Sequence, residues 1–272
     1  MKGLLRDAFV VAVSGTGLPF VRLWLRKRRG PLVRVLTVHD LGDGDELRLD
    51  RMLRFLRVRF ALISPEELDS GQLDRRRVNV LLTFDDGYAS WRTKALPVLE
   101  RHGVRPIFFL CSGFLDTAGD PAREAAFCSE RLHVRHRRPL SWEDAAALAE
   151  HGAMGGHTVS HPRLALLSAE EQQWEIADDK ATIEGRLGGR LRHFAFPFGM
   201  PADVDGATGE AVTQAGYELG FASTAGFVDG NATLFIPRLN VDPDRSLLLV
   251  YLSVIGAYDL FRGALELVGR RS

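Results

Sequence analysis

Two aspartates, Asp85 and Asp86, stand side by side where the apolar run VNVLLTF (78–84) ends, and Gly87 follows them. Asp and Gly are common turn residues, so a turn accounts for them. Two carboxylates at the end of a buried strand also suit a catalytic site. Successive strand side chains point to opposite faces, so the pair would not make a symmetric clamp. A division of labour is the chemistry such a pair offers: one carboxylate on a metal, the other on a proton. A metal held by one carboxylate needs more ligands. The segment GGHTVSHP (155–162) supplies His157 and His161. Four residues apart on a helical turn, their imidazoles would share one face, a common metal-binding arrangement. A lone histidine carries little weight; a pair at this spacing, after Gly155–Gly156 and before Pro162, carries more. HFAFPFG (193–199) has aromatic residues and a proline that could wall a ligand groove or simply fill a core.

These segments need a scaffold that gathers strand ends. LVRVLTVHD (32–40), VNVLLTF (78–84), RPIFFLC (105–111), LRHFAFPFG (191–199), FAST (221–224) and FIPRLNV (235–241) read as strands. Between them lie helical stretches: 46–60, SWRTKALPVLERHG (90–103, with Pro97 bending or breaking it), a segment capped by Ser141, and one opening on the capping box Ser168–Glu171. Residues from about 247 form a last helix. Strand–helix alternation implies a parallel sheet covered by helices. About seven strand candidates favour a closed (β/α) barrel, whose site is built at the C-terminal strand ends. The stretch 113–140 reads as a long loop. Its Arg131, His133, Arg135, His136, Arg137 and Arg138 form a basic cluster, either solvated or facing an anionic substrate or a lipid phosphate. His102, His151 and His193 read as surface or loop groups.

The 272 residues, 46% hydrophobic, suffice for one barrel. Lys+Arg and Asp+Glu are 35 each, a formal charge of 35 − 35 = 0, which argues against a whole-molecule basic field and a nucleic-acid partner. Two cysteines, Cys111 and Cys128, give no disulfide framework, and Cys111 in IFFLC reads as a buried thiol.

Taken together and in this order, the segments resemble the polysaccharide deacetylase family, the NodB-like carbohydrate esterases. TFDDGY (83–88) matches its first motif, HTVSH (157–161) its second, and FAFPFG (194–199) resembles its third; GYELGFAST (216–224) fits its usual helix-to-strand step. The resemblance spans about residues 32–241 and implies a distorted (β/α) barrel with a divalent metal, zinc being the expected ion. It implies removal of N-acetyl groups from an N-acetylhexosamine in a polysaccharide or lipid-linked sugar. Asp86, His157 and His161 would be the metal ligands and Asp85 the base that activates water. Thr158 would steady the ligand loop, and Tyr88, Phe196, Pro197 and Phe198 would bind substrate. Many members have a late Leu-x-His motif; the matching segment here is IPRLNV, without a histidine. His39, in LTVHDL, resembles the early Y-H motif of an exopolysaccharide-type branch, where that histidine supplies the acid. The arginine that usually tunes the base is also not at its place, and Arg192 or Arg238 would substitute. The rival readings are a related amidohydrolase acting on a non-sugar amide, and a non-catalytic sugar-binding homologue.

Three parts are expected: an N-terminal basic and apolar segment (1–30), a catalytic domain (31–245) and a C-terminal helix (246–272). Both end segments suit a helix packed on the domain or one at a membrane surface. Without a clear cleavable signal, a cytoplasmic or inner-membrane-associated location is expected, with no protein partner.

Overall fold

The computed structural model describes residues 2–228 and 233–260, with side chains from Asp7 onward. The part of the expected C-terminal helix beyond 260 lies outside the described residues. Seven parallel strands close into a ring: β1 (Leu32–Val38), β3 (Val78–Phe84), β4 (Ile107–Leu110), β5 (Ala153–Gly156), β6 (His193–Ala195), β7 (Leu219–Ala222) and β8 (Ile236–Asn240). β8 pairs back onto β1, and β1 pairs with β3 along seven residues, Leu32↔Val78 to Val38↔Phe84. The short β2 (Ala61–Leu62) joins the lower half of β3. The expected (β/α) barrel is the observed one.

Strand alternation sorts each strand into two layers. Val33, Val35, Leu81, Ile107, Phe109, Phe221 and Ile236 fill the barrel interior, while Leu36, Val38, Leu82, Phe84, Phe108 and Phe194 face the helices. The same parity carries Thr37, Thr83 and Arg238 inward above the apolar plug. There Thr37 and Thr83 hydroxyls lie 3.0 Å apart, and Arg238 Nη1 donates to Thr83 Oγ1 at 3.2 Å. One residue pair further on, inward parity reaches His39 and Asp85. The site is therefore a continuation of the barrel lumen.

β5 carries no strand-like residue types, and two glycines, Gly155 and Gly156, end it. They are close-packing positions. A Cβ on Gly155 would run into the Phe109 ring inside the barrel, and one on Gly156 into Tyr217 Oη and Asp179 outside it. The stretch 113–140 is not a structureless loop. It folds into helical turns at Ser112–Leu115, Pro121–Phe127 and Cys128–Leu132, leaving 133–138 irregular and exposed. Asp120 caps Pro121–Phe127 by accepting from Ala122 N and Arg123 N. The Ser168–Glu171 capping box is present at the start of Ala169–Leu187. Pro97 sits in the first turn of Leu96–His102, where its missing N–H costs nothing, and a wide π turn, Trp91–Ala95, precedes it. His193 and His102 are not surface groups: His193 is buried and bonded to Asp69 (3.1 Å), and His102 meets Asp50 at 2.9 Å. Both cysteines are free and buried.

Candidate active site and metal centre

The site forms where three strand ends turn. Asp85 directly follows β3, and its inward direction continues the strand parity. Asp86 would point outward by the same rule, but its backbone takes φ +87°. That left-handed conformation is costly for a non-glycine residue, and it swings the second carboxylate back to the side of the first. Gly87, at φ +103°, continues the turn; a Cβ there would strike Leu115.

The histidines arrive from β5, and not on a helical turn as their spacing suggests. HTVSH is an irregular loop with Thr158 at φ +68° and His161 at φ +55°. His161 N donates to Thr158 Oγ1 at 3.0 Å, which closes the loop on itself. The imidazoles meet with centroids 5.0 Å apart, and both Nε2 atoms face Asp86 Oδ1, at 3.3 Å from His157 and 3.5 Å from His161. His157 Nδ1–H donates to the Ala195 carbonyl at 2.7 Å, which fixes the tautomer and leaves the Nε2 lone pair free toward the cluster.

These three side chains fit a divalent cation. Their ligand atoms lie within 4.8 Å of one another, all three residues are buried, and Asp86 Oδ1 has no hydrogen-bond donor. A buried carboxylate oxygen without a donor is costly, and a cation would satisfy it. One carboxylate and two imidazoles are a borderline donor set, suited to zinc and similar metals.

Asp85 has a different environment. Arg238 grips it with both guanidinium nitrogens, Nη1–Oδ1 at 2.7 Å and Nη2–Oδ2 at 2.8 Å, and both side chains are buried. Burial alone would push the Asp85 carboxyl upward, but Arg238, His157 and His39 outweigh it and hold the group below the usual carboxylate range. Asp86 is likewise held low: burial opposes, and the imidazoles of His157, His161 and His39 around it prevail. Burial pulls His161 down to about 4, against the pull of Asp86, so its ring is neutral near pH 7. Burial works the same way on His157, yet the two aspartates carry it above its ordinary value.

His39 lines the same cleft, half-buried, and its charge bears on both aspartates. Its carbonyl accepts from Trp91 Nε1 at 2.7 Å, which pins the strand end. Of the two candidate arginines, Arg238 belongs to the site, whereas Arg192 pairs with Asp69 and Glu218 at the opposite, N-terminal end of the strands. The cleft holds about 420 Å³. Tyr88 forms part of its wall and leans on Asp86; burial and that carboxylate push its phenol upward. Phe198, at φ +58°, packs edge-on to His161 with centroids 4.8 Å apart. Phe196 borders the cleft, but its ring faces the helices by parity, is 1% exposed and stacks on Phe235. Pro197, between them, is buried and is not among the residues that line the cleft.

Several groups escape sequence reasoning. Asp179 accepts from Ser112 N and His157 N, each at 3.0 Å, tying the ends of β4 and β5 together; burial raises its carboxyl to about 7. Glu175 accepts from Ser160 N at 2.8 Å and from the Ser160 hydroxyl. The available signal was positional: Gln172, Glu175 and Asp179 share the buried stripe of Ala169–Leu187 with Ile176 and Ile183, where apolar residues are expected. Arg137 also reaches the cleft and pairs with Asp40 at 2.5 Å, so part of the basic cluster borders the site.

A family model described as polysaccharide deacetylase matches residues 73–220. The Bacillus subtilis (strain 168) protein YxkH, which carries a polysaccharide deacetylase name, is 23% identical over 246 residues, covering 86% of this chain and 78% of its own. The Streptococcus pyogenes deacetylase PplD, solved with acetate, superposes with a TM-score of 0.68 at 18% identity, over 83% of this chain and 99% of that one. IcaB from Ammonifex degensii gives 0.66 at 24% identity, over 83% and 98%. These structural likenesses bear on the fold.

Proposed function

Because the chain belongs to the polysaccharide deacetylase family, we propose that it hydrolyses N-acetyl groups on an N-acetylhexosamine of a glycan with the help of a divalent cation, zinc fitting the donor set. The observation that carries this reading is the donor-less Asp86 Oδ1 facing two imidazole Nε2 atoms beside an arginine-clamped Asp85. Asp86, His157 and His161 would hold the cation. Bound there, it supplies Lewis acidity that eases water ionisation and polarises an acyl oxygen.

The remaining work falls to the chain itself. Asp85, kept ionised by Arg238, accepts the proton of the attacking water. Its low proton affinity suits a group that passes the proton on rather than retaining it. His39, on the neighbouring strand and in the same cleft, is the donor for the departing amine. It occupies the role that a late histidine would fill, and the segment IPRLNV lends Arg238 to the base instead. Phe198 and Tyr88 shape the wall against which the acetamido sugar lies. A sugar tethered to a lipid is a second acceptor class, and it would require work at a membrane surface.

The test is acetate release from N-acetylglucosamine oligomers by zinc-loaded protein. Asp85→Asn and Asp86→Ala should each abolish it. Full activity in Asp86→Ala would sink the ligand assignment. Release from simple acetamides but from no sugar would favour the non-sugar amidohydrolase. Sugar binding with no release by the unsubstituted protein would favour a binding role.

A further inference from the structure

The helix Leu18–Lys27 presents apolar side chains to solvent. Leu18, Phe20, Val21, Trp24 and Leu25 are between 43% and 54% exposed, while Pro19 is buried. At 3.6 residues per turn these five cover roughly half the helix circumference. Val11 on the preceding helix (Lys2–Gly15) is 43% exposed, and Leu248, on the helix Leu247–Val254 that packs against it, is 56% exposed. Single exposed apolar residues are ordinary. Five on one face of a ten-residue helix mark a contact surface.

The charges around this face identify its partner. Arg22, Arg26, Lys27, Arg28 and Arg29 lie on the helix or directly after it, and no acidic residue occurs between Asp7 and Asp40. Arg28 lies over the Trp24 ring at 4.3 Å, so a cation and an aromatic ring meet at the rim of the apolar face. The helix is held firmly: Lys27 Nζ donates to the Arg76 carbonyl at 2.5 Å, and Arg26 lies over Phe227 at 5.4 Å. The face is therefore presented on a fixed support.

We propose that this face docks on the surface of an anionic phospholipid bilayer, with Leu18, Val21, Trp24 and Leu25 among the upper acyl chains and Arg22, Arg28 and Arg29 at the phosphates. Interfacial helices have this distribution, with tryptophan and leucine on one side and lysine and arginine beside them. The arrangement suits lying on a membrane rather than crossing it. No single described helix is long and apolar enough to span a bilayer; Asp7–Gly15 and Leu18–Lys27 reach that length and composition only together, and they bend by 77° at their junction. A second copy of the chain fits poorly, since a symmetric contact would set the run Arg26–Arg29 against its own image.

The experiment is co-sedimentation of the full chain with vesicles of phosphatidylcholine alone and of equal parts phosphatidylcholine and phosphatidylglycerol. Binding to the mixed vesicles and not to the neutral ones is expected. Val21→Glu with Leu25→Glu should abolish it while leaving the thermal midpoint in solution unchanged, since both side chains are exposed. Arg28→Glu with Arg29→Glu, beyond the helix, should weaken binding by more than roughly thirtyfold, from about 1 kcal/mol per cation near an anionic surface. No vesicle binding, equal binding to both vesicle types, or unchanged binding by the Val21/Leu25 variant would each overturn the proposal. So would a dimer in solution that Val21→Glu dissociates, which would assign the face to a second copy.

Discussion

Arg238→Met isolates the clamp on Asp85. Both side chains are buried, with exposures of 1% and 4%, and two hydrogen bonds at 2.7 and 2.8 Å join them, so solvent screens little of their interaction. Removing one partner of such a pair strands the other as a buried charge, which typically costs about 3–5 kcal/mol. The pH dependence gives a sharper signature. In the parent chain the Asp85 pKa is lowered, so its contribution to stability is present above the unfolded carboxyl value and lost as pH falls through the lower folded value. Without Arg238, burial dominates and the Asp85 pKa rises above its unfolded value. The resulting penalty is absent at low pH and grows as pH climbs above about 4. The stability gap between parent and variant should be widest near neutrality and narrow toward pH 4. Urea unfolding with a chelator present measures it without any contribution from a bound cation. Adding Asp85→Asn should recover about 2 kcal/mol or more at neutral pH, because a neutral amide then replaces the stranded charge. An Arg238→Met variant within about 1 kcal/mol of the parent at pH 7, or a gap that does not close in acid, would refute the account of the pair.

Three other perturbations follow from the same geometry. Asp86→Ala should lower zinc affinity by more than roughly a hundredfold in calorimetry, exceeding the usual loss from an outer-sphere partner; unchanged affinity would remove Asp86 from the ligand set. Gly156→Ala should destabilise by about 1–3 kcal/mol, since its Cβ meets Tyr217 Oη and Asp179. Tyr217→Phe in the same chain should restore part of the loss in thermal unfolding, and no rescue would mean that the clash lies elsewhere. His39→Gln should reduce acetate release by roughly a hundredfold or more and flatten the basic limb of the pH–rate profile; an intact limb would assign the acid to another group.

Much of the scaffold is readable in the residues. The largely apolar runs at 32–38, 78–84 and 107–110 read as strands buried on both faces, and the capping box at Ser168 marks its helix start. β5 is different. Ala153–Gly156 looks like a loose connection because a sequence does not show which neighbours crowd it, and here Phe109 and Tyr217 do. The same limit hid Asp179 and Glu175, ordinary acids in a helix until the loop carrying the histidines packs against them.

By itself the sequence determined the inventory: a parallel barrel, two carboxylates at one strand end, two histidines after another, and an aromatic segment at a third. Those follow from local pattern and residue type. The assignment of partners belonged to the tertiary structure. Strand parity sends Asp85 inward, but only the left-handed backbone at Asp86 brings the second carboxylate to the same side. The histidines meet through a loop stabilised by Thr158, although their spacing suggested a helix. Arg238, more than 150 residues along the chain from Asp85, becomes its partner because ring closure pairs β8 with β1 and β1 with β3. Closing the ring sets which side chains share the lumen, and that depends on all seven strands at once.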